Sequence, residues 1–315
     1  MARRGRHSKG RKIWKTVFIV VLLIVLIIVG IGTKFYLDVS NSVQDTYESV
    51  ERSNKDSKYD REVNLKQEEP FSVLLLGIDT GDLGRTEQGR SDTLMVATVN
   101  PKQGKTTLLS IPRDTYVSII GHGTDDKINH AYAFGGAAMS MDTVENFLDI
   151  PIDHYVSINM AGIKELVDAV GGVDVNNDLE FTYENYTYDF GQIHLNGDQA
   201  LGYLRMRYDD PEGDYGRQGR QRAVVEAVVK KAISLEGATQ YKSILNSMED
   251  NMKTDMSFQN MQTIALNYRN SFSNINQIQM KGEGFMQDGV SYQRVDENEL
   301  ETIQNDLQKQ LNISK

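Results

Sequence analysis

Arginine and aspartate residues recur together at the predicted ends of strands and helices. Asp79 follows an apolar run, and Arg90 and Asp92 precede the next one. If the two strands are neighbours, Asp79 and Asp92 can face one hard cation, because Mg²⁺ needs only one or two carboxylates beside substrate phosphate oxygens. A loop-capping aspartate beside a surface ion pair is the alternative interpretation of this cluster.

A second cluster closes the next predicted strand. Pro112 ends regular strand pairing and directs Arg113 away from the sheet edge. The planar guanidinium of Arg113 can bind a phosphate through two hydrogen bonds, and Asp114 could orient it from behind. An ordinary surface pair between Arg113 and Asp114 fits the sequence equally well.

The densest arginine group outside the N-terminal region spans residues 204–208 and 214–222. Arg217 and Gln221 are four residues apart, so they share one helical face, and the first turn of a helix offers free N–H groups to an anion. Arg205 and Arg207 are two residues apart and would diverge on a helix, so they can meet one ligand only where the chain straightens. A solvated basic helix start is the alternative interpretation.

The composition excludes several functional classes. The chain has no cysteine, which excludes thiol catalysis and a disulfide framework and is compatible with a Gram-positive-type cell surface. A net charge of -10 disfavours a general polyanion-binding surface, so nucleic acid is not an expected partner. No phosphate-binding loop, dinucleotide fingerprint, nucleophile elbow or zinc motif is present. His130 is predicted to be a structural histidine at a helix start.

The N-terminal region predicts a single-pass membrane protein. Residues 16–36 are the predicted membrane helix: the run 16–33 is apolar, carries no charge and is long enough to span hydrocarbon, and no small-x-small cleavage site ends it. A cleaved signal peptide is the alternative. The positive-inside rule places residues 1–15 in the cytoplasm and the rest of the chain outside the cell membrane. The basic residues that decide this orientation are Arg3, Arg4, Arg6, Lys9, Arg11, Lys12 and Lys15.

The positions of the predicted elements indicate an α/β domain. Residues 37–70 are polar and predict a solvated stalk. Residues 71–236 alternate between strand and helix patterns and predict one folded α/β domain, and residues 237–315 predict a helical extension on or beside it. The predicted strands are 71–77, 93–99, 106–111, 155–158 and 173–175, and the predicted helices are 139–148, 161–170, 198–204, 220–235, 241–252, 260–268 and 297–311.

The ordered set of motifs resembles the LytR-CpsA-Psr family of cell-envelope phosphotransferases. The resemblance covers about residues 71–233, and its specificity comes from order and spacing together. The matching segments are LLGID (75–79), RSDTLM (90–95), SIPRD (110–114), KINHAY (127–132), GGV (171–173), LNGDQAL (195–201), RMR (205–207), and Asp214, Gly216, Arg217, Gln221 and Arg222.

The resemblance implies an enzyme that moves an anionic glycopolymer from a polyprenyl-pyrophosphate carrier to a peptidoglycan hydroxyl. It implies a three-layer α/β/α sandwich around a mixed sheet, with an apolar groove for the lipid. Asp79 and Asp92 would hold Mg²⁺ (or Mn²⁺), and the implied catalytic residues are Asp92, Arg113, Asp114 and Arg217. The residues implied to bind the pyrophosphate are Arg90, Arg113, Arg205, Arg207, Arg217 and Gln221.

Three questions stay open at the level of sequence. The polymer could be a teichoic acid, a capsular glycan or another glycan, because no short motif identifies it. The general base for the incoming hydroxyl is not assigned. A pyrophosphatase acting on the same lipid, and a non-catalytic membrane-bound regulator or wall-binding module, are the alternative functions.

Overall fold

A computed structural model describes residues 46–52, 61–79, 89–233 and 251–313. The strands are β1 (Phe71–Ile78), β2 (Ser91–Asn100), β3 (Lys105–Ile111), β4 (Tyr116–Ile119), β5 (Thr124–Lys127), β6 (His154–Asn159), β7 (Val173–Asn177), β8 (Phe181–Tyr183), β9 (Tyr186–Tyr188), β10 (Gly191–Leu195), β11 (Met252–Thr254), β12 (Ile275–Gln279), β13 (Gly282–Gln287) and β14 (Val290–Val295). The α-helices are α1 (His130–Leu148), α2 (Met160–Ala169), α3 (Gly197–Arg205), α4 (Asp214–Ala232), α5 (Phe258–Asn267) and α6 (Glu297–Gln310).

A six-stranded mixed sheet forms the centre of the fold, in the order β11-β6-β1-β2-β3-β12. Strands β1, β2 and β3 are antiparallel neighbours, as the Pro-Gly turn between the second and third predicted strands indicated. Strand β6 runs parallel to β1, and β12 runs parallel to β3. The prediction of a mixed α/β fold is confirmed.

Helices cover both faces of this sheet because successive strand residues point to opposite sides. Leu74 and Leu76 of β1 belong to the main core cluster, which also contains Val144 of α1 and Leu307 of α6. The residues of the opposite pleat, such as Val73, face α4 and α5 across an apolar cavity. The arrangement therefore has helices, sheet and helices in successive layers.

The segment after residue 236 is not only helical. Helices α5 and α6 lie where the sequence predicted them, but β11 and β12 also join the central sheet, and β13 pairs with β14. The sequence of β12 is INQIQ, which lacks the usual apolar signal of a strand. It forms a strand because it pairs with the edge of β3, so tertiary context decides its conformation. The predicted helix at 241–252 lies almost entirely outside the described residues.

Part of the predicted stalk packs on the domain. Leu65 is buried in a core cluster with Phe71 and Tyr268. Arg52 contacts the buried carboxylate of Asp142 at 2.6 Å, and other charged residues of this segment also find partners on the domain. Several of the charged residues that suggested a solvated stalk form these ion pairs with the domain. The prediction of a solvated stalk is therefore wrong for residues 46–52 and 61–70.

The predicted cytoplasmic head and membrane anchor, residues 1–36, lie outside the described residues. Among the residues that the structure does describe, no helix is both long and apolar enough to cross a bilayer.

Candidate active site

The two predicted metal-binding aspartates lie at the same end of two neighbouring strands. Asp79 follows β1, and its backbone N–H donates to the carbonyl oxygen of Arg90 at 3.1 Å. Gly77 pairs with Thr93 and Ile78 pairs with Ser91, so Asp92 is the extra residue of a β-bulge. A bulge bends the strand and redirects a side chain, and such bulges are common beside active sites. Asp92 owes its position to this irregular register.

Arg113 follows β3, which pairs with β2, and it lies against Asp92. One terminal nitrogen of Arg113 donates to Oδ1 of Asp92 at 2.7 Å. The carboxylate of Asp114 is 3.9 Å from Nε of Arg113, which is too long for a hydrogen bond, and it binds Nζ of Lys127 at 2.7 Å. Asp92 therefore supplies the orientation of Arg113 that we expected from Asp114.

The chain leaves helix α3 between the two arginines of the RMR motif. Arg205 is the last residue of α3, and Met206 has φ -57° and ψ 133°, which is an extended conformation. This is the straightening that Arg205 and Arg207 need in order to approach one ligand. Met206 itself is buried in the neighbouring core cluster, which fixes the turn between them.

Helix α4 presents Arg217 and Gln221 from its first turns. Gly213 precedes the helix, and no side chain caps the first turn of α4 in the described structure. Arg217 is 11% exposed, and its terminal nitrogen lies 2.6 Å from Oδ1 of Asp214. Gln221 lies one turn further along the helix and is 7% exposed. The N-terminal part of α4 thus combines a guanidinium, an amide and the backbone N–H groups of the first turn, which can meet an anion.

These side chains form one electrostatic cluster. Burial opposes the charge of Arg113, but Asp92, Asp214 and Asp114 together outweigh it, so the pKa of Arg113 lies above its ordinary value. Burial, together with the positive charges of Arg113 and Arg207, lowers the pKa of Arg217. A bound anion would relieve this repulsion among the arginines, so the cluster is suited to a phosphate group.

Unsatisfied polar atoms mark the same place. Nε of Arg113, Nε of Arg217 and Oε1 of Gln221 are buried and make no hydrogen bond within the described part of the chain. Buried polar atoms almost always have a partner, so such a group calls for an explanation. A ligand with several oxygens, held where Arg113 and Arg217 meet, would supply acceptors for the two guanidinium groups.

The structure thus brings together most of the predicted site residues. Asp92 and Arg113 are in contact, Arg113 and Arg207 are close enough to Arg217 for their charges to act on it, Gln221 adjoins Arg217 on the helix, and Asp79 lies at the same end of the sheet. Arg90 is exposed and takes part through its backbone carbonyl. The sequence did not indicate that Asp214 is the partner of Arg217 or that Lys127 is the partner of Asp114. The spacing of three residues between Asp214 and Arg217 on a predicted helix was a usable signal for the first of them.

An apolar cavity of about 200 Å³ lies between the sheet and helices α4 and α5. Its lining includes Leu75 of β1 and Val225 and Val229 of α4. Arg217, Gln221, Val225 and Val229 are spaced by four residues, so each lies beside the next and together they form one ridge along α4. That ridge changes from cationic at Arg217 to apolar at Val225 over about 12 Å, at a rise of 1.5 Å per residue.

The donor set is compatible with a magnesium ion that is shared with a phosphorylated ligand. The described residues contain no group of three or more acidic, histidine or cysteine side chains that could hold a metal by themselves. Asp79 and Asp92 are hard oxygen donors at one end of the sheet, and Mg²⁺ in phosphate-binding sites takes only one or two carboxylates. These two residues are the ones that would hold the ion, and the magnesium site stays a prediction.

Fold and site together define an α/β protein with an arginine-lined anion site beside an apolar cavity. The chain belongs to the LytR_cpsA_psr family, whose sequence model matches residues 33–309. The resemblance seen in the sequence motifs is thereby confirmed.

One sequence relative covers almost the whole chain, and two solved structures cover most of it. A protein of Enterococcus faecalis (strain ATCC 700802 / V583) described as polyisoprenyl-teichoic acid–peptidoglycan teichoic acid transferase TagU is 60% identical over 305 residues, 97% of this chain and 99% of that protein. The crystal structure of B. subtilis TagU has 43% identity and a TM-score of 0.63, covering 77% of this chain and 97% of that one. A structure of TagT bound to LI-WTA has 29% identity and a TM-score of 0.69, covering 84% of this chain and 100% of that one.

Proposed function

We propose that this protein is a transferase that joins an anionic glycopolymer to peptidoglycan. The donor is the polymer on a polyprenyl-pyrophosphate carrier, and the names of the relatives favour a teichoic acid as the polymer. The acceptor hydroxyl oxygen forms a bond to the phosphorus that carries the glycan. The bond from that phosphorus to the bridging oxygen breaks, polyprenyl phosphate leaves, and the proton of the hydroxyl passes to solvent or to a nearby base.

One observation carries this proposal: a single ridge of side chains along α4 joins the arginine cluster to the apolar cavity. Arg217 and Gln221 lie at the cationic end, and Val225 and Val229 lie at the apolar end. A polyprenyl pyrophosphate has the same two parts in the same order. Its pyrophosphate suits the arginines, and the first units of its chain suit the cavity.

The chemistry needs little more than positioning and charge neutralisation. Phosphoryl transfer is accelerated mainly by aligning the reacting groups and by stabilising charge on the phosphoryl oxygens. In this proposal Arg113, Arg207 and Arg217 bind those oxygens, and Asp92 holds Arg113 in place. Arg90, Arg205 and Gln221 complete the pyrophosphate site. Mg²⁺ held by Asp79 and Asp92 would neutralise further charge on the oxygens.

We also propose that residues 16–36 anchor the protein in the cell membrane, with residues 1–15 in the cytoplasm and the catalytic domain outside. The uncharged apolar run 16–33 and the basic residues before it support this topology. A lipid-linked donor in the outer leaflet and a peptidoglycan acceptor would then be on the same side of the membrane as the site.

The full chain, reconstituted in lipid vesicles, tests the proposal directly. With polyprenyl-pyrophosphate-linked teichoic acid, peptidoglycan and Mg²⁺, we expect polymer to become covalently attached to peptidoglycan and polyprenyl phosphate to be released. Release of glycan phosphate without attachment would instead indicate a pyrophosphatase. Binding of donor without turnover in the same vesicles would indicate a non-catalytic module.

A further inference from the structure

Arg220 belongs to the arginine-rich segment but faces away from the anion site. It is 7% exposed, and it donates to the backbone carbonyls of Tyr203 at 3.0 Å and Met206 at 2.5 Å. It also forms an ion pair with Asp210 at 2.5 Å. Its guanidinium carbon lies 5.3 Å from the ring centroid of Phe181. All of these partners lie on α3, on the loop that follows it, or on the sheet that packs beside them.

The loop held in this way carries the site residue Arg207. The carbonyl oxygen of Arg207 accepts a hydrogen bond from the N–H of Asp210 at 3.3 Å. The carboxylate of Asp210, which is 5% exposed, accepts from the N–H of Glu212 at 2.7 Å. One buried arginine therefore holds the backbone carbonyl of Met206, immediately before Arg207, and the side chain of Asp210, three residues after it.

The packing of α4 against this loop requires a glycine. A Cβ atom at position 216 would overlap the carboxylate of Asp210. Gly216 therefore lets α4 approach the loop closely enough for Arg220, one turn further along the helix, to reach Asp210. Gly216 and Arg220, on successive turns of α4, both contribute to the contact between α4 and Asp210.

We infer that Arg220 is a positioning residue, which fixes the α3–α4 loop so that Arg207 meets the pyrophosphate of the donor. This inference rests on the proposed function. Lysine cannot replace arginine at this position, because only the planar guanidinium reaches two carbonyls and a carboxylate that lie in different directions. The alternative is that Arg220 contributes only to folding stability.

A double-mutant cycle separates these two roles. Arg220→Lys should lower kcat/KM for transfer at least tenfold in the wild-type background but less than threefold in an Arg207→Ala background, because the side chain it positions is then missing. Asp210→Asn, a milder change to the same contact, should show the same dependence on Arg207. Equal losses in both backgrounds, for both variants, would overturn the inference.

A stability-matched control and a binding assay complete the design. Gln310→Ala removes buried hydrogen bonds to Thr98 and Thr107, near the opposite ends of β2 and β3 from the site. It should lower the melting temperature but leave kcat/KM within twofold of wild type. Calorimetry with inorganic pyrophosphate should show at least fivefold weaker binding by Arg220→Lys, with Gln310→Ala unchanged.

The two proposals fail in different ways. If the wild-type chain and Gln310→Ala do not transfer polymer, the proposed function fails, and the pyrophosphate titrations still test the role of Arg220. If both transfer polymer and Arg220→Lys transfers and binds pyrophosphate as they do, only the inference about Arg220 fails.

Discussion

Replacing Arg217 by alanine should lower transfer activity by a factor that the structure constrains. Arg217 is 11% exposed and holds Asp214 with one terminal nitrogen, while its Nε is buried and makes no hydrogen bond in the described structure. If the protein is the proposed transferase, the free part of this guanidinium binds the pyrophosphate. A hydrogen bond to a charged group contributes about 1.5–3 kcal/mol, and loss of one transition-state donor costs about 2.7–4 kcal/mol. At about 1.4 kcal/mol per factor of ten, kcat/KM should fall roughly 10- to 700-fold.

Arg217→Lys keeps the charge but loses the planar guanidinium that can form two hydrogen bonds to a phosphate. Its kcat/KM should therefore be about tenfold higher than that of Arg217→Ala but below that of the wild type. The assay is attachment of labelled polymer to peptidoglycan by the reconstituted full chain, with substrate concentration varied to obtain kcat and KM separately. Arg269 is an exposed arginine outside the cluster, and Arg269→Ala should transfer within twofold of wild type. A loss of less than threefold in a folded Arg217→Ala protein would refute the assignment of Arg217 to the site.

Three further predictions concern the metal, the N-terminal segment and alkaline stability. Asp79→Asn should raise the Mg²⁺ concentration for half-maximal transfer at least tenfold, and full wild-type activity in excess EDTA would contradict the metal proposal. Arg52→Ala should lower the free energy of unfolding by about 3 kcal/mol, because it leaves the fully buried carboxylate of Asp142 without this partner. Denaturant titration measures the loss. Adding Asp142→Asn should restore part of it, because the buried charge is then removed. Burial raises the pKa of Tyr203 and of Tyr268 to about 12, against about 10 in an unfolded chain. Both side chains are neutral below pH 10 in the folded and the unfolded chain, so they should leave the free energy of unfolding constant up to that pH. Between pH 10 and 12 the unfolded chain ionises first, so the free energy of unfolding should fall. Tyrosinate absorbance that titrates fully near pH 10 without unfolding would contradict this.

The sequence predicted those parts of the fold whose signals are local. Strands β1 to β3 are apolar runs bounded by Gly and Pro, so the central hairpin followed directly from the sequence. Strand β12 did not, because its glutamines and asparagine form a strand only when the edge of β3 is available. The segment before β1 was wrongly expected to be solvated throughout, since its charges are matched by carboxylates that are distant in sequence.

The candidate site also has a part that the sequence predicted and a part that it did not. Arginine and aspartate at the ends of predicted strands and helices indicated Asp92, Arg113 and Arg217, because residues at the ends of neighbouring elements converge. The bulge at Asp92 depends on strand register, which no local pattern specifies. The difference between Arg217, which faces the site, and Arg220, which binds the α3–α4 loop, depends on how two helices pack.

The central claim is that one ligand occupies both the arginine cluster and the apolar cavity, and calorimetry with two probes tests it most directly. Inorganic pyrophosphate and a short prenyl pyrophosphate are titrated, with Mg²⁺ present, into the wild type, Arg217→Ala and Val225→Glu. We predict that the prenyl probe binds more tightly to the wild type, that Arg217→Ala weakens both probes by the same factor, and that Val225→Glu weakens only the prenyl probe. Equal affinity of the wild type for both probes, or no effect of Val225→Glu, would contradict the claim of a shared ligand.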